Sequence, residues 1–138
     1  MQVITTDLKK IDVAGGDVYH LIRADSVGYK SFGEVYISFV KPGVNKGWKL
    51  HKRMTLNLVV PVGCVDFKFE LRDGSMSKIS VGESNYQRIT VEPGTWFCFE
   101  NNGSNEAMVI NFSDILQFLL LKDEDFYFYS KDKILKSK

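Results

Sequence analysis

The sequence is poor in the residues that bind transition metals or cross-link a fold. Histidine occurs only as His20 and His51, and cysteine only as Cys64 and Cys98. So few imidazoles and thiolates exclude a zinc cluster and a cage of several histidines. The cysteines lie 34 positions apart (98 − 64) without a Cys-x-x-Cys spacing, so a fold built on several disulfides is also excluded. The sequence therefore predicts no metal site and no cofactor.

Long apolar runs and an excess of one charge are also missing. The apolar runs are only a few residues long, well short of the ~20 that a membrane-spanning helix needs, and the first residues do not resemble a secretory signal. Lysine and arginine total 18 against 17 aspartates and glutamates. This balance does not support a broad nucleic-acid surface. We expect a cytoplasmic protein with reduced thiols that binds neither membranes nor nucleic acid.

The length and composition are those of one globular domain. The chain has 138 residues, of which 44% are apolar, 25% charged and 13% aromatic. These values predict a single domain over residues 1–138 and argue against disorder. Residues 131–138 carry four lysines and are predicted to form a frayed, solvated tail.

Short apolar or alternating runs between turn residues dominate the chain. Residues 64–71 alternate between apolar and charged side chains and precede an Arg-Asp-Gly-Ser turn. A short helix over 114–121 capped by Ser113, and a strand or docked aromatic tail at 126–129, are predicted near the end. The spacing of the runs indicates an all-β sandwich or barrel with little helix. Strands are predicted at 33–40, 54–62, 64–71, 78–81, 87–91, 95–100 and 107–112.

The most unusual segment is residues 46–53, which hold four basic residues, a tryptophan and a histidine. If the segment is extended, Lys49, His51 and Arg53 share one face because side chains alternate along a strand. Such a face favours an anion, for example phosphate or the pyrophosphate of a sugar nucleotide. A solvated basic strand with one packed tryptophan explains the same residues, and the spacing alone leaves both interpretations open.

Two tryptophans and an asparagine extend this candidate site. Trp48 lies within the basic segment, and Trp96 ends the Pro-Gly-Thr-Trp run at 93–96. Either ring offers a surface on which a ligand stacks, although a tryptophan after a turn more often packs in the core. If the strand pattern is regular, Asn57 faces the same side as the basic residues and is a candidate for binding a sugar hydroxyl.

Several motifs, in order, resemble the dTDP-4-dehydrorhamnose 3,5-epimerase-like cupins. They are Phe-Gly-Glu-Val-Tyr at 32–36, Lys-Pro-Gly at 41–43, Lys-Gly-Trp-Lys-Leu-His-Lys-Arg at 46–53 and Pro-Gly-Thr-Trp at 93–96. The resemblance spans about residues 16–114. It implies a double-stranded β-helix, or cupin jelly roll, that forms a homodimer. It also implies a nucleotide-linked deoxysugar ligand, such as a dTDP-sugar, in polysaccharide or O-antigen biosynthesis.

Epimerisation next to a ketone needs a base that removes the acidified proton and a group that stabilises the enolate. In the family the base is a histidine of an Arg-Gly-Leu-His motif, and Lys49 stands in its place. A second family histidine corresponds to the run at 97–99, and the expected tyrosine acid falls near 111–115, where there is none. The resemblance therefore leaves open whether this chain is an enzyme.

The resemblance completes the set of candidate site residues. Lys49 and His51 are the candidates for a catalytic base. Lys46 matches a residue that faces phosphate in the family. The function predicted is a sugar-nucleotide-binding cupin like the 3,5-epimerases or 3,4-ketoisomerases. The alternative is a non-catalytic sugar- or nucleotide-sugar-binding or interaction subunit. The candidate substrate-binding residues are Glu34, Lys46, Trp48, Arg53, Asn57 and Trp96.

Overall fold

The computed structural model describes residues 2–116 and 126–128, and these residues form strands, turns and loops without a helix. No helix among them is long and apolar enough to span a membrane. The predicted helix at 114–121 runs largely outside the described residues, as does the basic tail at 131–138. The strands are β1 Val3–Asp7, β2 Lys10–Ile11, β3 Val18–Tyr19, β4 Glu34–Val40, β5 Asn45–His51, β6 Leu56–Val62, β7 Cys64–Glu70, β8 Met76–Gly82, β9 Gln87–Val91, β10 Trp96–Glu100, β11 Ala107–Ser113 and β12 Phe126–Phe128.

Ten of these strands form two antiparallel sheets, and β2 and β3 form a separate hairpin. The first sheet has the order β1-β9-β6-β11-β4 and the second has the order β12-β5-β10-β7-β8. Strands that are neighbours in the chain, such as β4 and β5 or β9 and β10, alternate between the sheets. This arrangement is the predicted cupin jelly roll and confirms the all-β fold class.

The alternation read from the sequence decides which side chains face the space between the sheets. In β7, Val65, Phe67 and Phe69 are fully buried, while the polar residues between them are half-buried. Burying these three side chains contributes roughly 1.5–3 kcal/mol each. Matching residues from β6, β9, β10 and β11 complete one continuous core between the two sheets.

The turn between β6 and β7 depends on Gly63. Its φ of +85° lies in the left-handed region, and an added Cβ would stand 2.9 Å from the Cα of Ala107. Only glycine satisfies both the turn and this close approach. The turn carries the chain from β6 in the first sheet to β7 in the second.

Candidate functional site

An irregularity in β5 turns Lys46 and Lys49 to the same side of the sheet. Strict alternation would place two residues three positions apart on opposite faces. In the pairing of β5 with β10, however, Lys49 lies opposite Phe97 and Lys46 lies opposite Phe99, with a register shift between them. Both phenylalanines belong to the core. The bulge therefore directs both lysines towards the interior.

Gly47 makes this bulge possible. Its φ is +130°, and a Cβ there would lie 2.6 Å from the Cβ of Cys98 and 2.8 Å from its Cα. A larger residue at position 47 would push β5 away from β10. The glycine in the predicted motif is thus explained by the close approach of two strands.

Lys46 is tied to the neighbouring edge of the first sheet. Its Nζ donates hydrogen bonds to the Oγ of Ser38, at 2.9 Å, and to the carbonyl oxygen of Phe39, at 2.7 Å. Both acceptors lie on β4. Lys46 therefore links the two sheets and places the inner face of β4 beside that of β5.

Lys49 has an apolar environment. Its Nζ lies 5.6 Å from the ring centroid of Phe97 and 5.0 Å from that of Phe99, close enough for cation–π contact. Burial, and then the positive charge of Lys46, lowers the pKa of Lys49 to about 8. About a tenth of the Lys49 amine is therefore neutral at pH 7.

His51 is the most buried of the three, with 4% of its surface exposed. Its ring centroid lies 6.3 Å from that of Phe97. Burial, and then the positive charge of Lys49, lowers the pKa of His51 to about 4. The imidazole is neutral at pH 7 and has the protonation state that a general base needs. We call Lys46, Lys49 and His51 the inner polar strip.

Glu34 and Tyr36 on β4 face the same interior. They pair with Ser113 and Asn111 of β11, which are buried. Burial, and then the negative charge of Glu34, raises the pKa of Tyr36 to about 12, so Tyr36 keeps its proton at neutral pH. Tyr36 is absent from the predicted site, although alternation from Glu34 along β4 contains the signal that would find it.

The two tryptophans lie elsewhere. Trp48 and Trp96 are buried in a second cluster with Cys98 and partly buried Leu50. Because Cys98 pairs with Gly47 at the bulge, this cluster lies on the face opposite Phe97 and the core. The expectation that either ring stacks on a ligand beside the basic residues is wrong in its geometry. Trp48 precedes Lys49 on β5 and Trp96 precedes Phe97 on β10, so both rings point to the other face of the sheet.

Asn57 is also outside the strip, contrary to the expectation of a shared face. It pairs with Phe112 on the outer face of the first sheet. Its Nδ2 donates to the Gly28 carbonyl at 3.1 Å, and its Oδ1 accepts from Arg88 Nε at 3.1 Å and Thr90 Oγ1 at 2.6 Å. The alternation of β5 does not continue to Asn57 because the chain turns and enters the other sheet.

The turn also separates Arg53 from the strip. Strand β5 ends at His51, and Arg53 is exposed in the bend that follows. Of the two cysteines, Cys64 is exposed and Cys98 is buried. Of the eight predicted site residues, Lys46, Lys49 and His51 thus lie together on β5, and Glu34 lies on the inner face of β4.

Two surface cavities lie away from the inner polar strip. One, of about 180 Å³, lies between β1 and the segment around residues 20–27 and reaches Arg88. The other, of about 260 Å³, lies beside Gly63 and Asn101. Within residues 2–116 and 126–128, no three histidine, cysteine, aspartate or glutamate side chains converge as metal ligands.

Comparison with known proteins shows which family this chain resembles. No protein-family model and no curated protein matches the sequence significantly. A dTDP sugar isomerase from Desulfovibrio desulfuricans matches in structure with a TM-score of 0.86 and 30% identity, over 95% of this chain and 85% of that one. The chain belongs to the dTDP-sugar isomerase and epimerase family of cupins.

Two more distant structures show the same fold. The dTDP-4-dehydrorhamnose 3,5-epimerase from Sulfolobus tokodaii has a TM-score of 0.81 at 18% identity, over 97% of this chain and 80% of that one. A sugar 3,4-ketoisomerase from Thermoanaerobacterium thermosaccharolyticum, in complex with TDP, has a TM-score of 0.77 at 14% identity, over 99% of this chain and 93% of that one. The dTDP-sugar cupin fold is therefore shared across these different activities.

Proposed function

We propose that this cupin binds a dTDP-linked 4-keto-6-deoxysugar at the inner polar strip and moves a proton at a carbon next to the ketone. The observation that carries the proposal is the convergence of Lys46, Lys49 and His51 inside the jelly roll of a dTDP-sugar isomerase relative. Two cations and a neutral base next to each other match what an anionic ketone substrate requires.

Each side chain has a separate role. Lys46 uses two N–H donors on β4, and its third donor is available for a phosphate oxygen. His51 is the base, because its pKa of about 4 keeps it neutral at pH 7. Lys49, next to it, supplies positive charge at the reacting ketone. Tyr36, protonated at neutral pH, is suited to return a proton.

The test is exchange of substrate hydrogen with solvent. The protein is incubated with dTDP-4-keto-6-deoxyglucose in deuterated water, and the sugar is followed by NMR. We expect deuterium at C3 or C5 and a new sugar, and we expect His51→Asn to slow both about 10³-fold. An unchanged sugar without deuterium would exclude this reaction on this substrate.

The alternative is a non-catalytic nucleotide-sugar-binding member of the family. It is favoured by Lys49 at the position of the family base and by the absence of tyrosine from 111–115. Calorimetry with a panel of nucleotide sugars separates the two. Binding without exchange supports the alternative, and absence of binding by every member of the panel contradicts both.

The cellular setting follows from the same substrate class. We propose a role in supplying deoxysugars for polysaccharide biosynthesis in the cytoplasm. In support, no disulfide joins Cys64 and Cys98, as is usual in a reducing compartment. Deletion of the gene, followed by sugar analysis of the cell's polysaccharides, tests this role.

We further propose a homodimer formed through β4. Among the described residues β4 pairs only with β11, so it is an edge strand. Its outer face exposes Val35, Ile37 and Phe39 by 46%, 50% and 52%. An apolar edge of seven residues favours pairing with another chain. A second copy would cover both the apolar side chains and the backbone.

Light scattering after size exclusion tests this interface. We expect a dimer for the wild type and a monomer for Ile37→Lys. Met76→Lys is the matched control, since Met76 is 53% exposed on β8, the edge of the other sheet. A dimer that survives Ile37→Lys but not Met76→Lys would move the interface to β8.

A further inference from the structure

The two lysines of the inner polar strip differ in how their amines are held. The Nζ of Lys46 is fixed by Ser38 Oγ and the Phe39 carbonyl. The Nζ of Lys49 contacts the faces of Phe97 and Phe99 instead. No carboxylate of the described residues lies within ion-pair distance of Lys49. Lys46 is therefore held by hydrogen bonds, whereas Lys49 is held by ring contacts.

Two features of its surroundings favour the reactive, neutral form of this amine. An ammonium on an apolar floor loses hydration, and a second cation nearby repels it. Both conditions are met at Lys49, whose pKa falls to about 8. Lysines activated in this way by desolvation and a neighbouring cation are nucleophiles towards carbonyl substrates. Lys49 is partly accessible, so a ligand can reach it.

We propose that Lys49 forms a Schiff base with the ketone of the bound sugar. This inference rests on the proposed function, because it concerns the same site and substrate. Lys49 takes over the position of the family's histidine base and acts as a covalent electron sink, while His51 remains the base. The geometry that carries it is the Lys49 amine, which lies over the rings of Phe97 and Phe99 and next to the imidazole of His51.

The step balances without any further reactant. The neutral Nζ attacks the ketone carbon. The carbonyl oxygen takes one proton from the attacking amine and one from solvent and leaves as water, so a C=N bond replaces the C=O bond and the nitrogen keeps one hydrogen. The resulting iminium carries the positive charge that acidifies the neighbouring C–H. His51 removes that proton, and the electron pair moves into the C–C–N system as an enamine. Reprotonation at carbon and addition of water return the ketone and the free amine.

Reductive trapping tests the inference. The protein is incubated with dTDP-4-keto-6-deoxyglucose and cyanoborohydride, and its intact mass and peptides are measured. We expect an adduct equal to the ligand mass minus one oxygen atom. It should lie on Lys49 and not on Lys46, which is the internal comparison three residues away.

The variant Lys49→Arg keeps the charge but cannot form an imine, and Lys49→Met is the second variant if Arg does not fold. We expect loss of the adduct in either variant, with at least a tenfold drop in exchange. Calorimetry on the same sample separates two kinds of failure. Binding without an adduct on Lys49 overturns the Schiff base only, whereas absence of binding overturns the proposed function. An adduct confined to Lys46 also overturns the assignment.

Discussion

Two clusters of polar side chains differ in how their charges are accommodated. One surrounds Arg88 on the outer face of the first sheet, and the other is the inner polar strip between the two sheets. On the outer face, the guanidinium of Arg88, which is 2% exposed, donates to Asn57 Oδ1 and to the carbonyls of Leu21 and Val27 at 2.8–3.1 Å. On the inner side, Lys49 lies on aromatic rings. The outer group is a hydrogen-bonded network, and the inner one is a set of neighbouring bases and cations.

The difference between them separates stability from chemistry. The outer network holds residues 21–28 against the sheet through hydrogen bonds that satisfy buried groups. In the inner strip, burial and like charge move the pKa values of Lys49 and His51 towards neutral forms. Such displacement costs stability and is typical of functional sites. Four predictions test this contrast, from the largest effect to the smallest.

The largest effect is expected at His51. Replacing it with asparagine removes the base but keeps a polar group of similar size, so deuterium exchange into the sugar should fall about 10³-fold. The matched control is His20→Asn, because His20 lies on the segment after β3, away from the strip. Equal exchange rates for the two variants would remove His51 from the mechanism.

A loss of stability of about 3 kcal/mol is expected for Arg88→Met, because the variant removes the side-chain donor to the carbonyls of Leu21 and Val27 and one of the two hydrogen bonds to Asn57 Oδ1. Chemical denaturation measures it. Arg72→Met is the control, since the Arg72 side chain is 63% exposed and pairs with Glu92 at 3.6 Å, where the effect should stay within about 0.5 kcal/mol. Similar losses in both variants would contradict a structural role for the outer network.

Acid should destabilise the protein through His51. Its pKa is about 4 in the folded chain and 6.5 when unperturbed, so the unfolded state binds the proton first as the pH falls. Stability is therefore lost between about pH 6.5 and 4, by on the order of 2–3 kcal/mol from this residue. Denaturation curves of the wild type and His51→Asn should converge at low pH. Parallel curves would show that His51 is not buried in its neutral form.

The smallest expected effect is an increase in stability on replacing Lys49. Lys49→Met fills the same space without a desolvated charge, so at pH 7 it should be more stable than the wild type by about 1 kcal/mol. The advantage should shrink between pH 8 and 10.5, because the folded wild type loses its proton there before the unfolded chain does. A less stable variant at pH 7 would mean that the aromatic contacts of Lys49 outweigh its desolvation.

Most of the fold was predictable because strands leave a local signature. The run at 87–91 matches β9 Gln87–Val91, and the alternation from Cys64 matches β7 to within one residue. β1 was missed because its sequence is mixed in polarity, and β5 was predicted only as a conditional extension of residues 47–53. The structure places only some of the predicted site residues together. Lys49 and His51 share a face as expected, whereas Trp48 faces away and Asn57 belongs to another sheet.

Composition, alternation and turn residues were enough to predict an all-β chain with too few histidines for a metal cage, and the ordered motifs identified the family. Alternation and turn residues are local features of the sequence, so they can be recognised without knowing which strands pair. That Lys46 and Lys49 face the same interior could not be read from the order of the residues. That outcome depends on a bulge at Gly47 against β10, and a bulge is fixed by pairing between strands that lie far apart in the chain.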